Sequence, residues 1–385
     1  MREVRIGLVG AGWMGKAHTS AFMNALMMFG SEYGKPVFEV VSDVNIDAAK
    51  VAQKQLGYKR WAECWEDVVI DKHVDVVDIA TPNAFHYEVA KAALLNGKHV
   101  YCEKPLSLSA EQSKELSELA KQEGVVNYVG FNNVMNPASA YIKELVSSGK
   151  LGEITRFSGT YDQDALLDPT LPITWRHINK LSGSGALGDL GSHLLSISQF
   201  ILGDIKSVNA ISKTIIEKRP KDSHSNELAT VENEDLIVVL AEYENGAVGT
   251  LGSSRIATGR KNYLSYEIQG TEGSVYYSLE NLNEVHVYFT SDKSEDRGFR
   301  RVLLGTDHKG YSAFQPQSGI AIGFNDMKIL EVHELLSSIT CGTAYHCDFN
   351  FGWKIDRTIG AILKSAEQKQ WVQVDTADEK MIGVN

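Results

Sequence analysis

The first third of the chain alternates short apolar runs with longer segments in which apolar residues recur three and four positions apart. The runs of strand length are residues 4–9, 38–42, 74–79, 99–102 and 125–130. The segments of helical period are residues 13–29, 45–56, 85–96 and 109–123. This alternation predicts a parallel sheet whose strands are joined by crossover helices.

Beyond about residue 132 the chain changes to alternating apolar and polar positions, the pattern of strands with one buried face. After a predicted helix at 137–148, the predicted strands are residues 154–161, 208–216, 235–243, 247–255, 263–269, 274–278 and 284–289. Turn signals such as Asn245 followed by Gly246 separate several of them, which predicts a large, mainly antiparallel sheet. Two later helices, at 326–340 and 353–368, are expected to cover one face of it.

We therefore expect two domains. Residues 1–132 are predicted to form an α/β domain with a doubly wound parallel sheet, and residues 133–385 an α+β domain with a large, open-faced, mainly antiparallel sheet. The polar, turn-rich stretches 218–234 and 290–319 are expected to be loops. If one of them folds back over the open face, the chain is a monomer; otherwise two copies would bury that face against each other, in a homodimer or homotetramer.

Composition and charge narrow the class of partner. Apolar residues make up 43% of the 385 residues, and 49 acidic against 38 basic side chains give a net charge of −11. Such a field repels nucleic acid and anionic lipid. The apolar run near the N-terminus is too short for a signal sequence, and no stretch is long enough to span a bilayer. We expect a cytoplasmic protein without nucleic-acid or membrane partners.

The four cysteines form no C-x-x-C pair and are too sparse for a disulfide framework, which favours a reducing compartment. Cys341 and Cys347, with His346 between them, leave two interpretations open: metal ligands, or unpaired thiols at a helix end. The second is favoured, and no metal is expected.

A glycine-rich segment directly after the first predicted strand opens the first predicted helix and matches G-x-G-x-x-G. Its residues are Gly10, Ala11, Gly12, Trp13, Met14 and Gly15. Glycines at these positions allow a tight turn, close approach of backbone amides to a pyrophosphate, and close packing of helix on strand. Glycine-rich turns also arise without a ligand, but this context predicts a dinucleotide-binding Rossmann domain.

Asp43 ends the second predicted strand, where a carboxylate can accept hydrogen bonds from the adenine-ribose hydroxyls and repel a 2′-phosphate. This position favours NAD over NADP. The alternative is that Asp43 is an ordinary turn residue.

Lys104, between Glu103 and Pro105, follows the fourth predicted strand, 99–102, at the edge of the sheet where ligands of open α/β folds bind. A partly desolvated lysine there can share a proton with a substrate hydroxyl. A surface lysine before a turn is the alternative interpretation.

Asp189 and His193 are four residues apart at the start of an apolar helical segment. A helix would present both on one face, and a carboxylate bonded to an imidazole fixes its tautomer and raises its basicity. An aspartate that caps a helix containing a structural histidine would show the same spacing.

Taken together, these motifs resemble the glucose-fructose oxidoreductase/inositol dehydrogenase (Gfo/Idh/MocA) family over essentially the whole chain. The matching segments are residues 10–15 with His18, 80–83 with His86, 103–105, 130–132, 175–176 and 183–193. Gln163, residues 168–169, 175–176 and 323–333 look most like the branch that contains levoglucosan dehydrogenase and some inositol dehydrogenases.

The resemblance assigns further roles residue by residue. It implies that Lys104, Asp189 and His193 are catalytic. It implies that the cofactor is also contacted by Thr81, Pro82, Asn83, His86, Glu103 and Lys104. It implies that the substrate is contacted by Lys104, Asn132, Gln163, Trp175, Arg176, Asp189 and His193. Many members follow Phe-Asn with Tyr-Arg, whereas Asn133 and Val134 stand here, so the substrate pocket is expected to differ.

These expectations describe an NAD-dependent dehydrogenase that interconverts a secondary ring hydroxyl and a ketone on a monosaccharide, anhydrosugar or cyclitol. His193 would take the hydroxyl proton, Lys104 polarise the oxygen, and Asp189 orient His193. A glycosidase or lyase with transient oxidation, which shows no net NADH, is the alternative. A non-catalytic sugar or NAD sensor ranks last because Lys104 and His193 are both present.

Overall fold

The computed structural model describes residues 2–224 and 227–374, and the chain divides into two compact units. The first comprises Met1–Asn136, Gly310–Pro316 and Ile320–Asp356, and the second Pro137–Lys309, Gln317–Gly319 and Arg357–Asn385, as far as these ranges are described. Residues 375–385 of the predicted second domain lie outside the described residues. In the described parts of the chain, no helix has the length and apolar character needed to cross a membrane.

The helices and strands follow the predicted order closely. The α-helices are α1 (Trp13–Phe29), α2 (Ile46–Leu56), α3 (Trp65–Val69), α4 (His86–Leu95), α5 (Ala110–Glu123), α6 (Pro137–Ser147), α7 (Asn179–Ser182), α8 (Ser192–Leu202), α9 (Phe324–Cys341) and α10 (Phe349–Gln368). The strands are β1 (Glu3–Val9), β2 (Lys35–Ser42), β3 (Arg60–Ala62), β4 (Val76–Ile79), β5 (His99–Cys102), β6 (Asn127–Val129), β7 (Ile154–Asp162), β8 (Ile205–Lys213), β9 (Lys218–Pro220), β10 (Leu228–Thr230), β11 (Leu236–Tyr243), β12 (Val248–Ser254), β13 (Tyr263–Gly270), β14 (Gly273–Ser278), β15 (Glu284–Phe289), β16 (Arg300–Leu303) and β17 (Val372–Gln373).

Among the described residues, the first unit holds a six-stranded parallel sheet in the order β3-β2-β1-β4-β5-β6. This is the doubly wound order of dinucleotide-binding domains, and the predicted fold of this part is confirmed. The helices begin where their sequence predicts: Asn45 caps α2 by accepting two backbone N–H groups, and Ser109 caps α5 by accepting the N–H of Gln112. The short β3 and α3 were not predicted.

The second unit holds a nine-stranded sheet, within the described residues, in the order β16-β15-β14-β13-β7-β12-β11-β8-β17. β7 and β12 pair in parallel, and the other described pairs of this sheet are antiparallel. The large, mainly antiparallel sheet is therefore confirmed. The stretches expected to be loops contain short strands: β9 and β10 form a hairpin on either side of residues 225–226, which lie outside the description, and β16 extends the edge of the sheet.

Helix α9 departs from the expectation that it covers this second sheet. It lies in the first unit, where Nζ of Lys328 is 2.7 Å from Oε1 of Glu103. An amphipathic pattern predicts that a helix buries one face, but it does not predict which sheet that face packs against. Here the buried polar partners at the end of β5 place α9 in the first unit. The later part of α10 does meet the second sheet, because Oγ of Ser365 accepts the N–H of Ala210 on β8. The domain boundary after residue 132 stays a prediction.

Part of one face of the second sheet is apolar and exposed. Along β11, Ile237, Val239 and Ala241 are buried, whereas Val238 and Leu240 are 55% and 47% exposed. Within the described residues, the stretches 218–224, 227–234 and 290–319 therefore leave these two positions uncovered.

Candidate active site

The glycine-rich segment links the end of β1 to the start of α1. Gly10 has a φ of +98°, and a Cβ there would lie 2.6 Å from the carbonyl oxygen of Ala80. A Cβ on Gly12 would meet no described atom within 4 Å, so space is open over the backbone at this point. The first turn of α1 reads Trp-Met-Gly-Lys, without an acidic side chain to offset the positive end of the helix. Open backbone beside a helix N-terminus suits the pyrophosphate of a dinucleotide.

Asp43 holds this segment in place. Its Oδ2 accepts the N–H of Ala11 at 2.8 Å, and its Oδ1 accepts the N–H of Asn45 at 2.9 Å. One carboxylate thus ties the glycine-rich segment to the start of α2. The predicted contact of Asp43 with a ribose would add to this structural role.

The segments that follow β4 and β5 are joined by the buried ring of His86. Its Nδ1 lies 2.8 Å from the carbonyl oxygen of Pro105, and its Nε2 lies 3.0 Å from that of Thr81. Burial lowers the pKa of His86, and a neutral ring donates to one of these two carbonyls. The histidine therefore fixes the shape of the two predicted cofactor segments.

Two buried hydroxyls at this edge of the sheet fit a bound cofactor. Oγ of Ser42 and Oγ1 of Thr81 have no hydrogen-bond partner among the described residues. A buried hydroxyl without a partner is costly, and a ligand at the carboxyl ends of the strands can supply one. The residues present therefore fit a dinucleotide. Pro82 and Asn83 lie on the turn between these hydroxyls and α4.

Glu103 is buried and bound by two cations of the first unit. Its Oε1 lies 2.7 Å from Nζ of Lys328 and 3.0 Å from Nε2 of His18, and Nδ1 of His18 lies 2.7 Å from Oδ1 of Asp78. Burial alone would lower the pKa of His18, but the Asp78 carboxylate and these hydrogen bonds raise it to about 9. Burial would raise the pKa of Glu103, but Lys328 and His18 hold it well below its usual range. Glu103 is therefore a carboxylate.

Lys104 follows Glu103 directly, and its N–H donates to Oε2 of Glu103 at 3.2 Å. The Lys104–Pro105 peptide bond is cis. The charged cluster around Glu103 thus fixes the backbone that carries the predicted catalytic lysine. His18 belonged to the family pattern and Lys328 lies within the branch-like segment 323–333, although no role was assigned to it, whereas no motif pointed to Asp78.

In the second unit, Asp189 and His193 do not share one regular helix. Asp189 lies on a π-helical turn, Leu187–Gly191, and His193 lies in the first turn of α8. Such turns are rare and occur frequently at functional sites. Oδ2 of Asp189 is 3.5 Å from Nε of Arg176, whose guanidinium lies 4.5 Å from the ring of Trp175. The predicted pocket residues Trp175 and Arg176 are thus brought to Asp189.

A polar group lies beside the buried ring of His193. The ring of Tyr161 is 5.9 Å from it, and the Tyr161 hydroxyl donates to Oδ1 of Asn262 at 2.7 Å. Nε2 of Gln163, a predicted substrate residue, donates to the same oxygen at 2.9 Å. Burial, reinforced by the nearby Asp189, raises the pKa of Tyr161, so this phenol stays a hydroxyl. No motif pointed to Tyr161 or Asn262.

Asn132 lies in the first unit just after β6 and is buried. Its Nδ2 has no hydrogen-bond partner among the described residues, which suits a role in binding. At the end of α9, Cys341 is exposed, Cys347 is buried, and Nδ1 of His346 lies 2.7 Å from Oε1 of Glu334. Within residues 2–224 and 227–374, no three His, Cys, Asp or Glu side chains are grouped as metal ligands.

Comparisons with known proteins match both the N-terminal and the C-terminal part of the chain. The model of the "Oxidoreductase family, NAD-binding Rossmann fold" matches residues 4–131, and that of the "GFO/IDH/MocA C-terminal domain" matches residues 139–276. Levoglucosan dehydrogenase of Pseudarthrobacter phenanthrenivorans is 36% identical over 97% of this chain and 99% of its own. The NAD⁺-dependent scyllo-inositol 2-dehydrogenase of Bacillus subtilis is 30% identical over 76% of this chain and 78% of its own.

Among solved structures, a levoglucosan dehydrogenase in complex with NADH and levoglucosan has a TM-score of 0.94 and 36% identity to this chain. The match covers 97% of this chain and 100% of that one.

Proposed function

Since the chain belongs to the GFO/IDH/MocA family of NAD-binding oxidoreductases, we propose that it interconverts a secondary ring hydroxyl and a ketone on a monosaccharide, anhydrosugar or cyclitol. The family makes it an NAD-dependent dehydrogenase of the sugar and cyclitol class. The identity of the ring and the roles of individual side chains belong to the proposal.

The observation that carries the proposal is the cluster around His193 in the second unit. A buried imidazole, an aspartate on the preceding π-helical turn and a group of hydroxyl and carboxamide side chains lie on neighbouring elements. A general base must reach the hydroxyl proton that it removes, and neutral hydrogen-bonding groups beside it suit a polyhydroxylated ring. His193 takes the proton of the reacting hydroxyl, and Asp189 orients His193.

Lys104 polarises the oxygen of the reacting hydroxyl. An ammonium that donates a hydrogen bond to this oxygen stabilises the negative charge that develops as the proton leaves. Glu103, which is held by His18 and Lys328, keeps the Lys104 backbone in place for this role.

The glycine-rich segment, Asp43, and the hydroxyls of Ser42 and Thr81 would hold the dinucleotide, which would supply the hydride acceptor for oxidation at the carbinol carbon. Gln163, Trp175, Arg176 and Asn132 contact the remaining hydroxyls and the ring of the substrate. A guanidinium, two carboxamides and an aromatic face can bind several hydroxyls without requiring a charged ligand.

Levoglucosan is the first substrate to test, because the 36% identical relative that matches nearly full length is a levoglucosan dehydrogenase. We would test levoglucosan in a panel with other anhydrosugars, inositols and hexoses. Each compound is incubated with the enzyme and NAD, and NADH formation is measured by its absorbance. Net NADH with at least one ring polyol is the expected result. Conversion of a substrate without net NADH would instead indicate a glycosidase or lyase with transient oxidation.

The exposed apolar face of the second sheet supports a homo-oligomer. Two copies that meet through Val238 and Leu240 would remove this face from water, in a dimer or tetramer.

A further inference from the structure

Three consecutive residues directly before β11 hold the segments that carry Arg176 and Asp189. Oε1 of Glu234 accepts the N–H of Gly185 and the N–H of Leu187, both at 2.9 Å. The intervening N–H of Ala186 donates to the backbone carbonyl of Glu234 at 3.0 Å. One residue therefore binds three successive amides at the start of the π-helical turn.

The approach of these two segments is close enough to require a glycine. A Cβ on Gly185 would lie 1.9 Å from the backbone carbonyl oxygen of Glu234, so any other residue would push the segments apart. Asp189, on the π-helical turn, lies four residues after Gly185, and its N–H donates to the carbonyl of Gly185 at 3.1 Å. The position of Asp189 thus depends on the bonds that Glu234 makes.

Asn233 holds the other member of the ion pair. Its Nδ2 donates to the backbone carbonyl of Arg176 at 2.7 Å, and Nη1 of Arg255 donates to the same oxygen at 3.3 Å. Nη2 of Arg255 donates to Oδ1 of Asn233 at 2.9 Å, and its Nε donates to Oδ1 of Asp235 at 2.9 Å. The carbonyl of Arg176 is therefore bound by a buried, mutually hydrogen-bonded group.

These bonds matter because the residues that make them are buried, whereas the ion pair that they support is partly exposed. Asn233, Glu234 and Asp235 are all buried, whereas the side chains of Arg176 and Asp189 are 45% and 37% exposed and 3.5 Å apart. An exposed ion pair is weak by itself, so the geometry of this one depends on the backbone that carries each partner.

We propose that Glu234 and Asn233 are positioning residues for the dehydrogenation: Glu234 fixes the turn that carries Asp189, and Asn233 fixes the backbone of Arg176. The inference rests on the proposed function, because it assigns the purpose of the pair to orienting His193 and binding the sugar. Loss of the Glu234 bonds lowers kcat, since Asp189 then orients His193 poorly. Loss of the Asn233 bond raises KM for the sugar, since Arg176 then binds it poorly.

The experiment compares Glu234→Ala, Glu234→Gln, Asn233→Ala and the matched control Glu232→Ala. The control removes a carboxylate of the same loop whose Oε2 accepts the N–H of Asn179 at 2.7 Å, away from the π-helical turn. In Glu234→Gln the side-chain carbonyl oxygen can still accept both amides, because both bonds fall on one oxygen. The readouts are kcat, KM for the sugar and for NAD, and amide hydrogen exchange of residues 185–187.

We expect Glu234→Ala to lower kcat about 10- to 100-fold, the scale of a misplaced catalytic group, with KM for NAD unchanged and faster exchange of the Gly185 and Leu187 amides. Glu234→Gln should restore most of the turnover. Asn233→Ala should raise KM for the sugar with a smaller change in kcat, and Glu232→Ala should keep the wild-type kcat. Wild-type kcat in Glu234→Ala, equal loss in Glu234→Gln, or equal loss in the control would overturn the proposal.

The exchange measurement separates this proposal from the proposed function. If the wild type oxidises no ring polyol, the substrate assignment fails, and the exchange rates of the Gly185 and Leu187 amides still decide whether Glu234 holds the turn. Unchanged exchange in Glu234→Ala would overturn the positioning role even in an active enzyme.

Discussion

The Nζ atom of Lys328 lies 2.7 Å from Oε1 of Glu103, and both side chains are buried. Lys328 belongs to α9 and Glu103 follows β5, so this ion pair joins segments far apart in the sequence. Lys328 also lies 2.9 Å from Oε2 of Glu331, whose second partner is the hydroxyl of Tyr101 at 2.8 Å. One buried ammonium thus balances two buried carboxyl groups beneath the backbone of the predicted catalytic lysine.

Replacing Lys328 should strongly destabilise the first unit. Lys328→Met keeps the length of the side chain but leaves Glu103 and Glu331 without their shared cation, and breaking a buried pair costs about 3–5 kcal/mol. Urea unfolding should show this loss, whereas Lys150→Met, at an exposed position, should change stability by less than about 0.5 kcal/mol. Equal effects of the two variants would contradict a structural role for the ion pair.

The sheets could be predicted from the sequence because each depends on local patterns. The apolar runs of β1 and β5 and the alternation in β15 mark strands wherever they pack. The position of α9 could not be predicted, since its helical period is the same on either sheet. The three-residue β3 is too short to show a period.

The sequence predicted those residues of the candidate site that belong to recognisable motifs. Lys104, Asp189 and His193 lie next to the ends of the elements where their motifs place them, and their roles stay predictions. Asn262 was not predicted as a site residue, because the pairing of Asp162 on β7 with Tyr263 on β13 is what brings it to Gln163. Such a contact between distant segments leaves no spacing in the sequence.

Cofactor preference should depend on Asp43. The wild type should use NAD more efficiently than NADP, because the carboxylate at the end of β2 repels a 2′-phosphate. Asp43→Ala should narrow this preference and also weaken NAD binding, since the Ala11 N–H loses its acceptor. Asp43→Asn, which can keep that bond without the charge, separates the two effects. The ratio of kcat/KM for the two cofactors is the measurement, and equal efficiencies in the wild type would count against the assignment.

Turnover should depend on Lys104 and His193. Proton-transfer groups contribute about 10² to 10⁴ in rate, so Lys104→Ala and His193→Ala should each lose most of kcat while still binding NAD in a fluorescence titration. Asp189→Asn should be less damaging if the aspartate mainly orients His193. Near-normal turnover in either alanine variant would remove the proposed mechanism.

The stability of the first unit should depend on pH through Asp356. Oδ2 of this buried side chain accepts the Ser113 hydroxyl at 2.5 Å and the Ser107 N–H at 3.0 Å. Burial raises its pKa from 3.8 to about 7.

The folded state therefore keeps a proton that the unfolded chain loses near pH 4, so the contribution of Asp356 to stability falls as pH rises from about 4 to about 7 and then levels off. The difference in unfolding free energy between wild type and Asp356→Asn should fall between pH 5 and 7 and be constant above that. A difference that does not vary with pH would refute the prediction.

Association should depend on the exposed face of the second sheet. The strand pairing places Ile211, 69% exposed, opposite Val238, and Val248, 52% exposed, lies on the neighbouring β12. With Leu240 these side chains make an apolar surface that is unusual for a monomer. Light scattering coupled to size exclusion should therefore give a multiple of 42.4 kDa.

Leu240→Glu should shift the mass toward the monomer. Two copies that meet through this face would bring the two introduced carboxylates together in a contact that excludes water. Val51→Glu is the matched control, since Val51 is equally exposed, at 51%, but lies on α2 of the first unit. A wild-type mass near 42.4 kDa at micromolar concentration would rule out the interface, and an equal shift in the Val51 variant would place the contact elsewhere.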